Sequence, residues 1–369
     1  MKLQSARDLK GELLRDVLTP FLDVMSRSVS ARSEPGLARS ARALGLDDSV
    51  LAVSAQRVES DVTLHRSIAL GVAVKGNGFK LAVRVQRQAL MDGPLMQRIR
   101  KAAKGEVDVR LIGRIDKRPA ATARKAVMAS PLAIAWYRKD QRPPLIGCSI
   151  GHFAITAGTL GAFVRWNNRL CVLSNNHVLA NENAAREGDA ILQRAVSDGG
   201  TLGANTVGWL AHFIPLQRNA PTLVDAAVAR LDDRFFPAKP GLLKAIVSGK
   251  DRMISTATPD LLDVGDLVRK VGRTTGATRG RVTAIEMDNV VVKYDIGNVR
   301  FDDQVEIEGA GKQSFSDGGD SGSLIVNGRM APVALLYAGS ETGGTNGRGL
   351  TYAHPIAEVL NQLNATIVI

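Results

Sequence analysis

Ser316-Asp317-Gly318-Gly319-Asp320-Ser321-Gly322-Ser323-Leu324-Ile325-Val326 packs three glycines around one serine and then turns apolar. Glycine enters backbone conformations that a side chain forbids, so the stretch reads as a tight turn feeding a buried strand. Gly319, two residues before Ser321, lets the N–H groups of Gly319 and Ser321 converge on one oxygen atom. The same texture, short apolar strands between Gly, Asn and Asp, begins at Ile146. Strands are expected at 161–166, 170–173, 226–231, 267–271, 281–285, 290–294, 322–326 and 333–337. The first long helix after Ile146 is expected only at 356–363. Many short strands between turns predict an antiparallel barrel or sandwich. The stretch 235–262, with Pro237, Pro240 and Pro259, divides them into two groups.

A serine hydroxyl is a weak nucleophile at neutral pH and needs a base, which in turn needs a group to orient it. Leu173-Ser174-Asn175-Asn176-His177 ends an apolar run in a histidine, whose ordinary pKa suits a general base. Thr222-Leu223-Val224-Asp225-Ala226-Ala227-Val228 opens an apolar run with an aspartate, which can hold the imidazole in the tautomer that accepts the serine proton. Asp232 and Asp233 are rivals, but they follow the strand rather than open it. Gly319 and Ser321 are the candidate oxyanion donors.

These motifs resemble the chymotrypsin-like (trypsin-like) serine peptidases. Gly319-Asp320-Ser321-Gly322 matches that family's nucleophile motif, and the order His177, Asp225, Ser321 is the family's order. An α/β-hydrolase would use a Gly-x-Ser-x-Gly elbow and the order Ser, Asp, His. The resemblance covers about residues 147–365 and implies two six-stranded antiparallel β-barrels, 146–240 and 241–369, with the site in the cleft between them. Gly147-Cys148-Ser149-Ile150-Gly151-His152, Thr156-Ala157-Gly158-Thr159-Leu160-Gly161 and Val271-Gly272-Arg273-Thr274-Thr275-Gly276 resemble bacterial intracellular peptidases of this type that carry an extra N-terminal domain.

By the family's spacing, Phe315 would lie at the base of the primary specificity pocket, with Tyr337 and Gly339 on the facing strand. No aspartate stands at that base, so the resemblance implies a small or medium apolar preference. His354 reads as a structural histidine or as a second pocket residue. Asp320 reads either as a turn carboxylate or as a regulatory switch, since in relatives made as zymogens the acid before the serine pairs with a new N-terminal amine. In this chain a side-chain cation or solvent would take that place.

The N-terminal part has a different character. Apolar residues from Leu3 to Met25 recur at helical spacing. Residues 26–60 read as a linker. Within 61–145, strands at 68–74 and 79–85 flank Lys75-Gly76-Asn77-Gly78, a helix is expected at 94–104, and a third strand at 107–115. The expected fold is therefore mainly β with an α+β N-terminal part: a helix, a β-β-α-β unit and two barrels. Residues 1–145 hold 27 Lys+Arg against 14 Asp+Glu, whereas 146–369 hold 21 against 22, so the excess charge of +12 lies outside the catalytic motifs. That segment suits a solvated basic face, a contact with a regulatory protein, or a contact with nucleic acid.

The functional expectation is a serine endopeptidase acting on protein or peptide substrates and regulated by this basic region. The alternative is an inactive scaffold on a peptidase fold that binds a protein or nucleic-acid partner. No apolar run is long enough to span a membrane. Two cysteines, Cys148 and Cys171, and a charged N-terminus point to the cytoplasm. His65, His152 and His212 have no companions at metal-ligand spacing, and no phosphate loop occurs, so no metal or cofactor is expected.

Overall fold

The computed structural model describes residues 1–18, 67–75, 78–117, 134–218 and 220–369. The expected linker 26–60, most of the connector 116–145 and His65 lie outside the described residues. The helix expected from Leu3 is α1 (Leu3–Glu12), continued by a wider π-type turn over Leu13–Leu18. Its apolar face packs on this same chain: Ala6 is buried against Val72 and Val282, and Leu13 against Leu70 and Leu81.

The β-β-α-β unit forms from the expected residues. β1 (Ile68–Lys75) and β2 (Gly78–Val85) pair as a hairpin, α2 (Pro94–Ala102) starts on a proline, and β3 (Val107–Leu111) returns parallel to β2. Proline suits the first helical turn, where its missing N–H costs no intrahelical bond. The third strand stops earlier than expected, at Leu111. Gly113 takes φ +66° and redirects the chain into a separate two-residue strand, β4 (Ile115–Asp116).

One β unit comprises β5 (Ser149–His152), β6 (Gly158–Thr159), β7 (Ala162–Trp166), β8 (Arg169–Ser174), β9 (Ala190–Leu192), β10 (Thr206–Phe213) and β11 (Ala227–Leu231). Six of these follow the order β7-β8-β11-β10-β9-β5 and curl around Phe163, Val172 and Val228. The short α3 (Asn176–Leu179) follows β8. A hairpin, β12 (Leu242–Val247) and β13 (Lys250–Met253), leads to the other unit. That unit contains β14 (Leu267–Gly272), β15 (Gly276–Asp288), β16 (Val290–Tyr294), β17 (Gly297–Phe301), β18 (Gln304–Gly309), β19 (Leu324–Asn327), β20 (Pro332–Gly343) and β21 (Gly349–Pro355). The ring β14-β15-β18-β21-β20-β19 closes back on β14. Closure removes the edges that a strand otherwise exposes. β16 and β17 project from this barrel as an inserted hairpin. The chain ends in α4 (Ile356–Leu363) and β22 (Thr366–Ile367), which pairs with β7.

The N-terminal unit is fused to the closed barrel. β1 pairs antiparallel with β15, Ala73 opposite Ala284, so the small sheet extends the barrel wall. Behind this seam Arg84 is fully buried and donates to both carboxylate oxygens of Glu306 at 2.6 and 2.8 Å, and to Asp108 at 2.8 Å. Arg7 to Glu286, Lys10 to Asp288 and Arg110 to Glu308 add three more cation–anion contacts. Basic residues of the N-terminal part thus face acids of the barrel, so part of the charge excess is spent within the molecule. Cys148 and Cys171 are buried free thiols, and burial pushes them up to about 12 and about 11.

Candidate active site

β8 and β11 are neighbours, with Ser174 opposite Ala227. That register brings the turn after β8 beside the residues that open β11. Asn175 donates from Nδ2 to the backbone oxygen of Asp225 at 2.7 Å, fixing the two turns together. His177 Nδ1 then lies 2.5 Å from Asp225 Oδ2, and the His177 backbone N–H reaches Asp225 Oδ1 at 3.2 Å. With Nδ1 committed to the carboxylate, Nε2 is the nitrogen left for other chemistry.

Asp225 is fully buried. Burial would raise its pKa, but the field and hydrogen bond of His177 and the Tyr294 hydroxyl outweigh it and hold it below the ordinary carboxylate value. Tyr294, at the end of β16, donates to Asp225 Oδ2 at 2.7 Å. His354 sits behind, accepting from the Asp225 backbone N–H through Nε2 at 2.9 Å, with Nδ1 2.7 Å from Gln304 Oε1. Burial drives its pKa down to about 3, so it is neutral at physiological pH. It is a buried structural histidine whose ring stacks on Tyr337 at 3.8 Å.

Ser321 comes from the closed barrel. Gly322 after it has φ +90°, and a Cβ there would lie 2.0 Å from Ser174 Oγ and 2.4 Å from the Thr159 oxygen. Only glycine permits this approach, which sets the serine turn against the strand that ends at His177. Thr159 closes the seam: its N–H donates to the Ser321 oxygen at 2.8 Å and its hydroxyl to the Gly319 oxygen at 2.9 Å. His177 and Ser321 line one cleft of about 440 Å³ with Tyr294 and Asp295. The Ser321 hydroxyl points to the backbone oxygens of Tyr337 (3.3 Å) and Lys117 (3.4 Å) rather than to the imidazole. Among the described residues, nothing accepts from the N–H of Gly319 or of Ser321.

Asp320 turns away from the cleft and is buried. It accepts from the N–H of Thr274 (2.8 Å) and of Asp317 (3.0 Å) and from the Thr275 hydroxyl (2.7 Å), and Lys270 Nζ lies 3.2 Å away. Phe315 is 1 % exposed and packs with Val268, Ile307 and Ile325 in the barrel core, with the Lys270 ammonium over its ring, so its side chain does not line this cleft. Tyr337 borders the serine through its backbone. Gly339 is covered by β4, paired with Asp116, while Ser340 pairs with Ile115.

β4 therefore lies in the cleft as an extended peptide would, antiparallel to β20 and parallel to β16 through Lys293. Sequence reading missed this strand, and it missed Tyr294 and Lys270. The motif 271–276 was the one signal for Lys270, because Gly272 sits where a Cβ would be 2.4 Å from Asp320 Oδ1.

A closed six-stranded barrel, a curled partner sheet and a histidine–aspartate–serine cleft between them define the architecture. The chain has a chymotrypsin-like peptidase fold. No protein-family model and no curated protein sequence matches it. Among solved structures, it is similar to Thermobifida fusca protease A, at 17 % identity over 61 % of this chain and 97 % of that one, with a TM-score of 0.43. A glutamic acid-specific serine protease described as using a histidine triad in substrate binding shares 23 % identity over 61 % of this chain and 100 % of its own, with a TM-score of 0.44. Cellulomonas bogoriensis chymotrypsin shares 17 % over 61 % and 97 %, with a TM-score of 0.42. Among the described residues, no helix is long and apolar enough to cross a membrane.

Proposed function

We propose that the protein is a serine endopeptidase whose cleft is covered by its own N-terminal part. The observation that carries the reading is the 2.5 Å contact between His177 and Asp225, facing the cleft that Ser321 also lines. In this reading Ser321 Oγ turns from the backbone oxygens of Tyr337 and Lys117 toward His177 Nε2. It gives up its proton there and attacks a peptide carbonyl carbon. The oxyanion is received by the N–H groups of Gly319 and Ser321, and the imidazolium is stabilised by ionised Asp225. His177 then protonates the leaving amine, and water releases the acyl group by the same steps in reverse.

β4 occupies the groove along β20 that an incoming peptide would need, which makes the N-terminal part the regulator of access. A fluorophosphonate probe is expected to label Ser321 in the full chain and faster in Asp116→Pro, whose strand pairing is weakened. Ser321→Ala is expected to remain unlabelled. Failure of both folded proteins to label would overturn the peptidase reading.

A further inference from the structure

The Lys117 side chain leaves the covering strand where its own backbone oxygen faces Ser321. Its ammonium is held by two carboxylates, one from each β unit. Asp295 Oδ2, in the turn between β16 and β17, lies 2.7 Å away. Glu182, in the loop after α3, accepts from the same ammonium through Oε1. Burial works against the charge on Lys117, but the bonds to Asp295 and Glu182 outweigh it and raise its pKa.

Glu182 is the decisive member. It is 5 % exposed, and the Ile296 N–H fixes its second oxygen at 2.9 Å. A buried carboxylate stripped of its cation is strongly destabilised. When β4 leaves the groove, Lys117 leaves with it, and the carboxylate needs another cation. A peptide entering along β20 meets this pair beside the serine. We infer that Glu182 and Asp295 form a subsite for a lysine or arginine side chain of the substrate, filled in this structure by Lys117. Basic residues satisfy the pair, apolar ones leave Glu182 unpaired, and acidic ones are repelled. This subsite is separate from the position of Phe315 and rests on the peptidase reading above.

The test uses the full chain carrying Lys117→Ala, so that the enzyme's own lysine no longer competes, and a peptide library scanned at the two residues before the cleaved bond. Lys or Arg is expected to exceed Ala in kcat/KM by roughly tenfold at one of these positions, as for other truncated charge pairs. Glu182→Gln should reduce that ratio. Asp295→Lys, at a side chain that is 89 % exposed and so tolerant of change, should abolish the basic preference in the Lys117→Ala background, because the new ammonium then supplies Glu182 with its cation. Ser321 labelling and cleavage without a basic preference, or a preference unmoved by Asp295→Lys, would overturn the subsite alone. Labelling without cleavage of any basic peptide would overturn it as well. Loss of both labelling and cleavage would remove the peptidase reading, and the subsite with it.

Discussion

Lys270 Nζ lies 3.2 Å from Asp320 Oδ2, and both side chains are completely buried next to the residue that carries the serine. The cation is supplied by β14, inside the barrel, so the turn is held without any new chain terminus. Burial lowers the Lys270 pKa against the pull of Asp320. Lys270→Met would leave a buried carboxylate with no cation, a change that costs about 3–5 kcal/mol. Chemical denaturation should show that loss, and Lys270→Met with Asp320→Asn should recover much of it. A single variant within about 1 kcal/mol of wild type, the size of one ordinary hydrogen bond, would mean that the backbone donors alone hold Asp320.

The Tyr294 hydroxyl bonds the same Asp225 oxygen that meets His177. Tyr294→Phe keeps the ring and removes one hydrogen bond to a charged group, about 1.5–3 kcal/mol. Peptide hydrolysis should fall roughly tenfold or more in kcat with little change in KM, because the ring stays in the cleft lining and only its bond to Asp225 is lost. An unchanged kcat would show that Asp225 holds His177 without help from Tyr294.

Local chemistry explains why His177, Asp225 and Ser321 could be read from sequence. Each sits within a few residues of a strand end, His177 in the one-turn α3, where glycine, asparagine or an abrupt change from polar to apolar residues marks the position. The β-β-α-β unit was legible for the same reason, since alternation and Pro94 are local signals. Its docking was not. The β1–β15 seam is made by backbone groups that every residue carries, and Arg84 reads as a surface strand residue until Glu306, 222 positions away, is seen beside it. Tyr294 looked like the apolar end of a strand because its partner is supplied by the other β unit. Phe315 was placed by spacing, and spacing does not tell whether a side chain faces a cleft or the core beside it.

His354 gives a pH signature. Its folded pKa of about 3 lies below the ordinary value, so the unfolded chain binds its proton first as pH falls. This contribution to stability is present above pH 6.5 and is lost progressively between about 6.5 and 3. At about 1.4 kcal/mol per unit, the loss near pH 4.5 is about 2–3 kcal/mol. Denaturation midpoints at pH 7 and 4.5 should differ less in His354→Gln, which retains an acceptor for the Asp225 N–H. An equal pH dependence in both proteins would show that other groups cause the acid sensitivity.

β4 is held on β20 by the Gly339–Asp116 and Ser340–Ile115 pairs, and Ile115 is buried beneath it. Proline at position 116 cannot donate to a ladder, and its ring also restricts Ile115. Removing one or two backbone bonds of about 1 kcal/mol each would shift the covered–open balance by about fivefold to thirtyfold toward open. Asp116→Pro should therefore hydrolyse peptides faster than wild type, with a lower apparent KM because less of the enzyme is occupied by its own strand. The stability of the closed barrel should change little, since its ring of strands does not include β4. Equal KM and kcat in the two proteins, measured on the same peptide, would show that β4 leaves the groove too readily to regulate access.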